Sequence, residues 1–270
     1  MQQKFKTQSI ALLITQRCTL NCNMCGACIP LYVKPKEDSI GLIKKELDSI
    51  FKLFEYVEIF EISGGEPLMH KDIVDIVKET LKYINYIGTL RITTNGTLLP
   101  SEELLKTIEQ NKEKMLIKID NYGDVSTKCN ELIDSLKAFD ISYRIVNYSE
   151  SEQYCDGWVD LGDFTCKNYS KEDLRNIFDN CHSAHWMCLA VQNGKMHQCP
   201  YSSAGHEIGH FYNEHLDLLN DNLSNEQIIN FIDMLGNQPC EACKYCNGFD
   251  VINSPRFAGG MQIKRKETVI

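Results

Sequence analysis

Three cysteines stand at positions 18, 22 and 25 in the run CTLNCNMC, and six more crowd the stretch from 181 to 246. A CxxxCxxC loop gathers three thiolates, enough to ligate three irons of a [4Fe-4S] cube and leave the fourth iron without a protein ligand. An open iron of that kind is a place for chemistry. The competing chemistry is a zinc loop, a closed set of four ligands that Cys28 could complete. Two further runs fall where strands should end. SGGEP, Ser63 to Pro67, joins paired glycines, which permit close backbone approach and free amide donors, to Glu66, which can accept from an ammonium group. TTNG, Thr93 to Gly96, offers Asn95 as donor and acceptor to ribose hydroxyls. Alone, each is an ordinary turn; their order and their place at strand C-terminal ends set them apart.

Short apolar or β-branched runs must position these residues. Strands are expected over Ile10 to Thr15, Tyr56 to Ser63, Thr89 to Asn95, Met115 to Asp120 and Ile141 to Asn147. Between them, apolar residues recur at helical spacing in Ile40 to Glu55, His70 to Asn85, Ser101 to Gln110 and Asn130 to Phe139, with Ser101 as an N-cap. This alternation is the pattern of βα units around a parallel sheet. Strand parity puts Ile117 and Ile119 toward the helices and Lys118 and Asp120 toward the other face. By the same rule Glu61 goes with Ser63, Arg91 with Thr93 and Asn95, and Ser142 with Arg144. So many polar residues on an inner face point to an open or partial barrel with a site inside it.

The chain has 270 residues, 43% of them hydrophobic, and 28 basic against 37 acidic residues for a formal charge of −9. That composition supports a real core and excludes a collagen-like, low-complexity or wholly disordered chain. The acidic balance argues against a nucleic-acid partner. No apolar run approaches the ~18 residues of a membrane span, and the start lacks a cleavable signal, so a cytoplasmic protein is expected. Thirteen cysteines, an odd count in tight clusters, then point to metal ligation in a reducing compartment.

After about residue 150 the character changes. SESEQYCDGWVDLGDFTCKNYS is turn-rich, Lys171 to Asn180 reads as a short helix, WMCLAVQNGKMHQCPY as a hairpin around Asn193 and Gly194, and Ser224 to Leu235 as a helix. The tail beyond Gly260 is basic and reads as mobile. Cys129, Cys155 and Cys166 read as incidental thiols. HEIGH, His206 to His210, has the form of a zinc-protease motif, but Pro200 to Gly209 reads as a turn rather than the helix that motif needs.

With Cys18, Cys22 and Cys25 followed by Gly64, Gly65, Glu66, Pro67 and then Asn95, residues of roughly 9 to 147 resemble the radical S-adenosylmethionine (SAM) superfamily. The resemblance implies an α/β fold, a partial (β/α)₆ TIM-like barrel, in which the three cysteines hold a [4Fe-4S] cluster. It assigns Gly64 to Pro67 to the methionine amino group of SAM and Thr93 and Asn95 to the strand end that faces ribose. Two positions depart from the family pattern: Met24, where an aromatic residue usually lies beside adenine, and Lys118, where many members have Ser. Cys181, twelve residues, Gly194, four residues and Cys199 look like the opening of a SPASM or twitch extension, a small hairpin-plus-helix domain for auxiliary clusters. With Cys240, Cys243 and Cys246 remaining in CEACKYC, the shorter twitch form with one cluster is expected, on Cys181, Cys199, Cys240 and Cys243. Cys188 or Cys246 could replace a member or stay free, and a structural zinc knuckle is the alternative.

The organisation expected is a barrel core over 1–175, a twitch-like domain over 176–255 and a tail over 256–270. The chemistry implied is reductive cleavage of SAM to a 5′-deoxyadenosyl radical that takes a hydrogen atom from a small hydroxylated substrate, a sugar or aminocyclitol. The auxiliary cluster would assist oxidation, and an electron donor such as flavodoxin or ferredoxin would supply the reductant. Lys118 or Arg144 is the candidate proton acceptor or substrate anchor. No peptide-recognition domain precedes the first strand, which favours a small substrate over the alternative, epimerisation or thioether formation in a ribosomally made peptide. A non-catalytic iron-sulfur or zinc electron-transfer protein is the third possibility.

Overall fold

The computed structural model describes residues 4–148 and 153–264. The start of the turn-rich stretch at 149–152 and the tail residues 265–270 lie outside the described residues. Strand and helix alternate as β1 (Phe5–Thr15), α1 (Ile40–Leu53), β2 (Phe54–Gly64), α2 (Ile73–Leu81), β3 (Ile87–Thr94), α3 (Glu102–Glu109), β4 (Met115–Asn121), α4 (Cys129–Ala138) and β5 (Tyr143–Asn147). All four neighbouring strand pairs are parallel, in the order β5-β4-β3-β2-β1. Such a sheet needs helices over its apolar face. Ile10, Leu12, Ile14, Phe60 and Ile62 are fully buried there, against Ile43, Leu47, Ile50 and Ile76 of the helices. Ser39 and Ser101 cap α1 and α3 by accepting from the amides of Leu42 and Leu104.

The five strands fall where hydrophobic patterning puts them. β1 starts earlier than its apolar run, because Lys6 and Thr7 pair with Tyr56 and Val57 through backbone bonds that need no apolar side chain. α2 is shorter than its periodicity. His70 is folded back, with Nε2 against Asp38 O at 2.8 Å and Nδ1 accepting from Asp72 N at 3.1 Å.

The C-terminal part adds β6 (Trp158–Val159), α5 (Lys171–Asp179), α6 (His182–His185), β7 (Cys188–Gln192), β8 (Lys195–His197), α7 (Pro200–Ile208), β9 (Leu216–Asp217), α8 (Asn225–Met234) and β10 (Arg256–Phe257). β7 lies parallel to β1 on its free edge, from Ser9↔Cys188 to Leu12↔Val191, and β8 and β9 continue antiparallel. One eight-stranded sheet therefore runs through both halves, and Leu189, Val191 and Met196 share the barrel's hydrophobic core. The β7–β8 turn is Asn193–Gly194, both at positive φ (51° and 78°), as a two-residue hairpin requires. α7 corrects the reading of Pro200 to Gly209 as a turn. Cys199 and Ser202 form a capping box, Pro200 occupies the first turn, and Gly209 ends the helix at φ 86°. Glu207 of HEIGH is nonetheless committed to the hairpin, 3.3 Å from Lys195 Nζ and accepting from Asn193 Nδ2 at 3.2 Å. Before the tail, β10 pairs antiparallel with β6, and within it Gln262 bridges to Cys22.

The hairpin tip is gripped by the barrel. Glu46 of α1, fully buried, accepts from Gly194 N at 2.6 Å, and Asp38 accepts from Asn193 N at 3.1 Å. Burial, with the Asp38 charge second, pushes the Glu46 carboxyl from an ordinary 4.5 up to about 8. A carboxyl raised on folding binds its proton more tightly in the folded chain, so its contribution is lost as pH climbs from about 4.5 through about 8. Glu46→Gln should flatten the fall in urea-denaturation midpoint between those pH values; an equal fall in both proteins would reject this account of the contact.

Candidate functional site

The site sits at the C-terminal ends of the strands, where β1 runs into the cysteine loop. Gly64, at φ 135°, and Gly65 let that loop come unusually close: a Cβ on them would lie 2.3 Å from Thr15 O and 2.1 Å from Arg17 O. The amides of Gly65 and Glu66 donate to those two carbonyls, each at 2.8 Å. They are therefore not free donors for a ligand, as the motif alone implies. Glu66 is likewise turned inward, fully buried. Its carboxylate accepts from Leu68 N at 3.0 Å, Thr94 Oγ1 at 2.9 Å and Asn95 N at 2.8 Å, and burial pushes it up to about 7. It ties β2 to β3. Pro67, also buried, opens a one-turn 3₁₀ helix below the site.

Around this turn lies a cavity of about 250 Å³ lined by Cys18, Cys22, Cys25, Gly64, Gly65 and Asn95. Thr93 and Asp120 also reach it. Asn95 Nδ2 donates to Cys18 Sγ at 3.5 Å and Thr19 Oγ1 at 3.1 Å, so the residue expected at ribose also orders the cysteine loop. Burial pushes the thiols of Cys18 and Cys22 up to about 11 and about 12, and the neighbouring Cys25 adds to both. Opposing this, N–H groups aim at the sulfurs, from Leu20 N to Cys18 at 3.4 Å and from Gln262 Nε2 to Cys22 at 3.1 Å. Three crowded, desolvated thiols with donors aimed at them suit ligands that a cationic iron centre would hold deprotonated. The donor set fits a [4Fe-4S] cluster.

Several expected positions have other surroundings than the motifs alone suggest. Met24, at φ 56°, turns to the outer side of the loop and lines a separate cavity of about 390 Å³ with Cys28 and Leu31. The aromatic wall of the inner cavity is instead Tyr122, Tyr148 and Trp158, with Tyr122 5.3 Å from Tyr148 and 5.5 Å from Trp158 between ring centroids. Tyr122 and Tyr148 follow directly on β4 and β5, a signal the strand-end rule could have supplied; Trp158 had no such local mark. The inner-face parity holds, with Glu61 registered beside Arg91 and Thr93 beside Lys118. Glu61 takes both Arg91 and the Thr93 hydroxyl, and Lys118 Nζ lies 2.7 Å from Asp120 Oδ1. Burial raises the Asp120 carboxyl despite that partner. Arg144 is registered with Lys118, yet it is exposed and rests 5.4 Å from the Tyr154 ring, outside the cavity.

In the C-terminal part, Cys181 and Cys199 sit at the N-termini of α6 and α7, and Cys240 and Cys243 sulfurs are 3.8 Å apart. Their shared hydrogen bond lowers Cys243 and raises Cys240. Cys246 is within electrostatic reach of Cys199, Cys181 and Cys243. Cys188 opens β7 on the inner-face side, facing Glu61 and Cys181. Cys129 is buried, and Cys155 and Cys166 are exposed, all away from these groups. Among the described residues, no three His, Cys, Asp or Glu side chains are drawn together tightly enough for a single metal ion.

Residues 12–140 match the family model of the radical SAM superfamily. Among characterised proteins, GTP 3′,8-cyclase of Campylobacter jejuni is 27% identical over 175 residues, 64% of this chain and 52% of that protein. GTP 3′,8-cyclase of Clostridium botulinum is 31% identical over 155 residues, 48% of this chain and 44% of its own. The chain thus spans about half the length of the curated relatives it matches. Two solved structures share the fold over nearly the whole chain. BtrN in complex with AdoMet and 2-DOIA aligns with a TM-score of 0.59 at 17% identity, covering 95% of this chain and 99% of that one. Native anSMEcpe with bound AdoMet aligns with a TM-score of 0.54 at 15% identity, covering 96% and 93%. Among the described residues no helix is long and apolar enough to cross a membrane.

The contact between the glycine turn and the cysteine loop is open to test. Gly65→Ala should cost about 1–3 kcal/mol and displace Cys18, so that reconstituted protein loses most of its first-site iron. Gly26→Ala, with nothing within 4 Å of its new methyl, should keep it. Equal iron in the two variants would show that this close approach does not position the loop.

Proposed function

We propose that this chain is a radical SAM enzyme that removes a hydrogen atom from a small hydroxylated substrate, a sugar or aminocyclitol, and oxidises it. The observation that carries the substrate class is the row of Glu61, Arg91 and Lys118 on the inner face of the sheet, continued by Asp120, which reaches the cavity. Paired acids and bases of this kind offer both acceptors and donors to hydroxyl and amino groups. When bound, SAM and two [4Fe-4S] clusters would supply the one-electron chemistry, namely reductive formation of a 5′-deoxyadenosyl radical at the first site and an electron acceptor at the second. Cys18, Cys22 and Cys25 are the proposed ligands of the first cluster, and Cys181, Cys199, Cys240 and Cys243, with Cys246 competing for the last place, those of the second. Tyr122, Tyr148 and Trp158 line the cavity and would restrict the access of water that a reactive radical must be shielded from. Lys118, held beside Asp120, is the proposed group for proton exchange with a substrate hydroxyl. Arg144 has no part in this proposal. An external electron donor such as flavodoxin or ferredoxin is the proposed partner.

The shared fold of BtrN, a structure with bound AdoMet and 2-DOIA, supports a small-molecule site in this architecture. A second reading follows from the GTP 3′,8-cyclases, in which the substrate would be a nucleoside triphosphate. Against it, Arg91 and Lys118 are each paired with a carboxylate, which leaves their charge compensated where a triphosphate would need it free.

Anaerobically reconstituted protein should bind about eight irons, and the Cys18/Cys22/Cys25→Ala protein about four. Zinc in place of the second set would defeat the two-cluster reading. Reduced protein supplied with a library of amino sugars and cyclitols should give one product two mass units lighter, with one 5′-deoxyadenosine per product. A deuterium at the carbinol carbon should pass into that deoxyadenosine. Label transfer with unchanged product mass would indicate epimerisation, and turnover of GTP alone would favour the second reading.

A further inference from the structure

The segment Gly260 to Ile263 lies along the first cysteine loop. Asn23 N donates to Met261 O at 2.7 Å, Ile263 N donates to Asn21 O at 2.8 Å, and the Asn21 side chain donates to Ile263 O at 2.7 Å. These bonds form an antiparallel bridge centred on Cys22 and Gln262. The path depends on glycine: a Cβ on Gly260, whose φ is 73°, would lie 2.5 Å from the Tyr122 ring. The segment therefore lies across both the aromatic wall and the cysteine loop.

Within that bridge the Gln262 amide is fully engaged. Oε1 accepts from Asn21 N at 2.8 Å, while Nε2 donates to Gly260 O at 2.7 Å and to Cys22 Sγ at 3.1 Å. Its orientation is dictated by its neighbours, since a backbone N–H can only donate and a carbonyl can only accept; flipping the amide would break both bonds. An N–H must face the sulfur. It is a shorter contact than those Leu20 and Asn95 make to Cys18, at 3.4 and 3.5 Å. Cys22 is buried and Gln262 exposed, so the amide approaches from the solvent side.

We propose that Gln262 is a positioning residue that sets the reduction potential of the cluster held by Cys18, Cys22 and Cys25, by donating a hydrogen bond to the Cys22 sulfur. The inference rests on the radical SAM reading of that site. An added electron increases negative charge on the sulfur ligands, and a donor binds the more negative state more strongly. The donor thus favours the reduced cluster and raises its potential. Because the donor comes from the C-terminal segment, docking of that segment and ease of reduction are linked.

Gln262→Met keeps side-chain length and the backbone bridge but removes the N–H. In the full-length reconstituted protein, without SAM, iron content should match wild type while an EPR-monitored redox titration shifts to more negative potential. With a weak reductant, 5′-deoxyadenosine formation should fall about tenfold, the equilibrium factor of one such hydrogen bond, and a stronger reductant should restore it. Unchanged potential at full iron content overturns the proposal. So does loss of iron in the variant, which would make the amide a latch rather than a tuning group. Wild-type protein carrying ¹⁵N in its glutamine side-chain amides gives a check without any variant. Pulsed EPR of the reduced cluster should detect a ¹⁵N coupling, and its absence overturns the assignment. Wild-type protein that takes up no iron would instead overturn the reading of the site itself, and this inference with it.

Discussion

The rest of the site depends on one backbone contact, the approach of the Gly64–Gly65 turn to the end of β1. Carbonyls of Thr15 and Arg17 meet the amides of Gly65 and Glu66 across a gap that admits no Cβ. Cys18 follows Arg17 directly, so this contact sets where the first thiol stands. Glu66 then extends the tie to β3 through Thr94 and the Asn95 amide. Removing its carboxylate would leave buried donors unpaired, at about 1–3 kcal/mol each. The motif is first a splice between three strand ends and only then a wall of the cavity.

A second dependence runs sideways through the sheet. β7 pairs with β1 as β2 does on its other edge, so the strand that delivers the cysteine loop is central to the whole sheet. The same pairing puts Cys188 on the inner-face side and carries the hairpin back to α1, where Glu46 and Asp38 hold its tip. The β7–β8 hairpin is joined to the barrel by strand pairing and shared core, while Cys199, Cys240, Cys243 and Cys246 pack with Cys28, Phe164 and Tyr201 in a second apolar cluster.

The inner face shows how local charge departs from overall charge. A chain of net charge −9 places Arg91 and Lys118 on its inner face, each neutralised by an adjacent carboxylate. Such pairs gain strength with distance from solvent but cost desolvation, and a polar ligand can share them. Arg144, equally inward by register, sits at the exposed edge strand β5 and rests on Tyr154 instead.

From the sequence alone, the alternation of strand and helix, the inner-face parity, the cysteine loop and the turn at Asn193 and Gly194 were legible. Each depends on residues close in the chain, through side-chain period, ligand spacing or positive φ. Tertiary structure decided what those residues face. Glu66 turned inward because three donors from β3 and its own turn surround it, Met24 turned outward on a left-handed loop residue, and Pro200 to Ile208 became a helix through its capping box. The aromatic wall draws on the residues after β4 and β5 and on the first residue of β6, and Gln262 reaches Cys22 across 240 positions of chain. No local pattern encodes a contact between segments so distant, because it exists only once the sheet has brought their ends together.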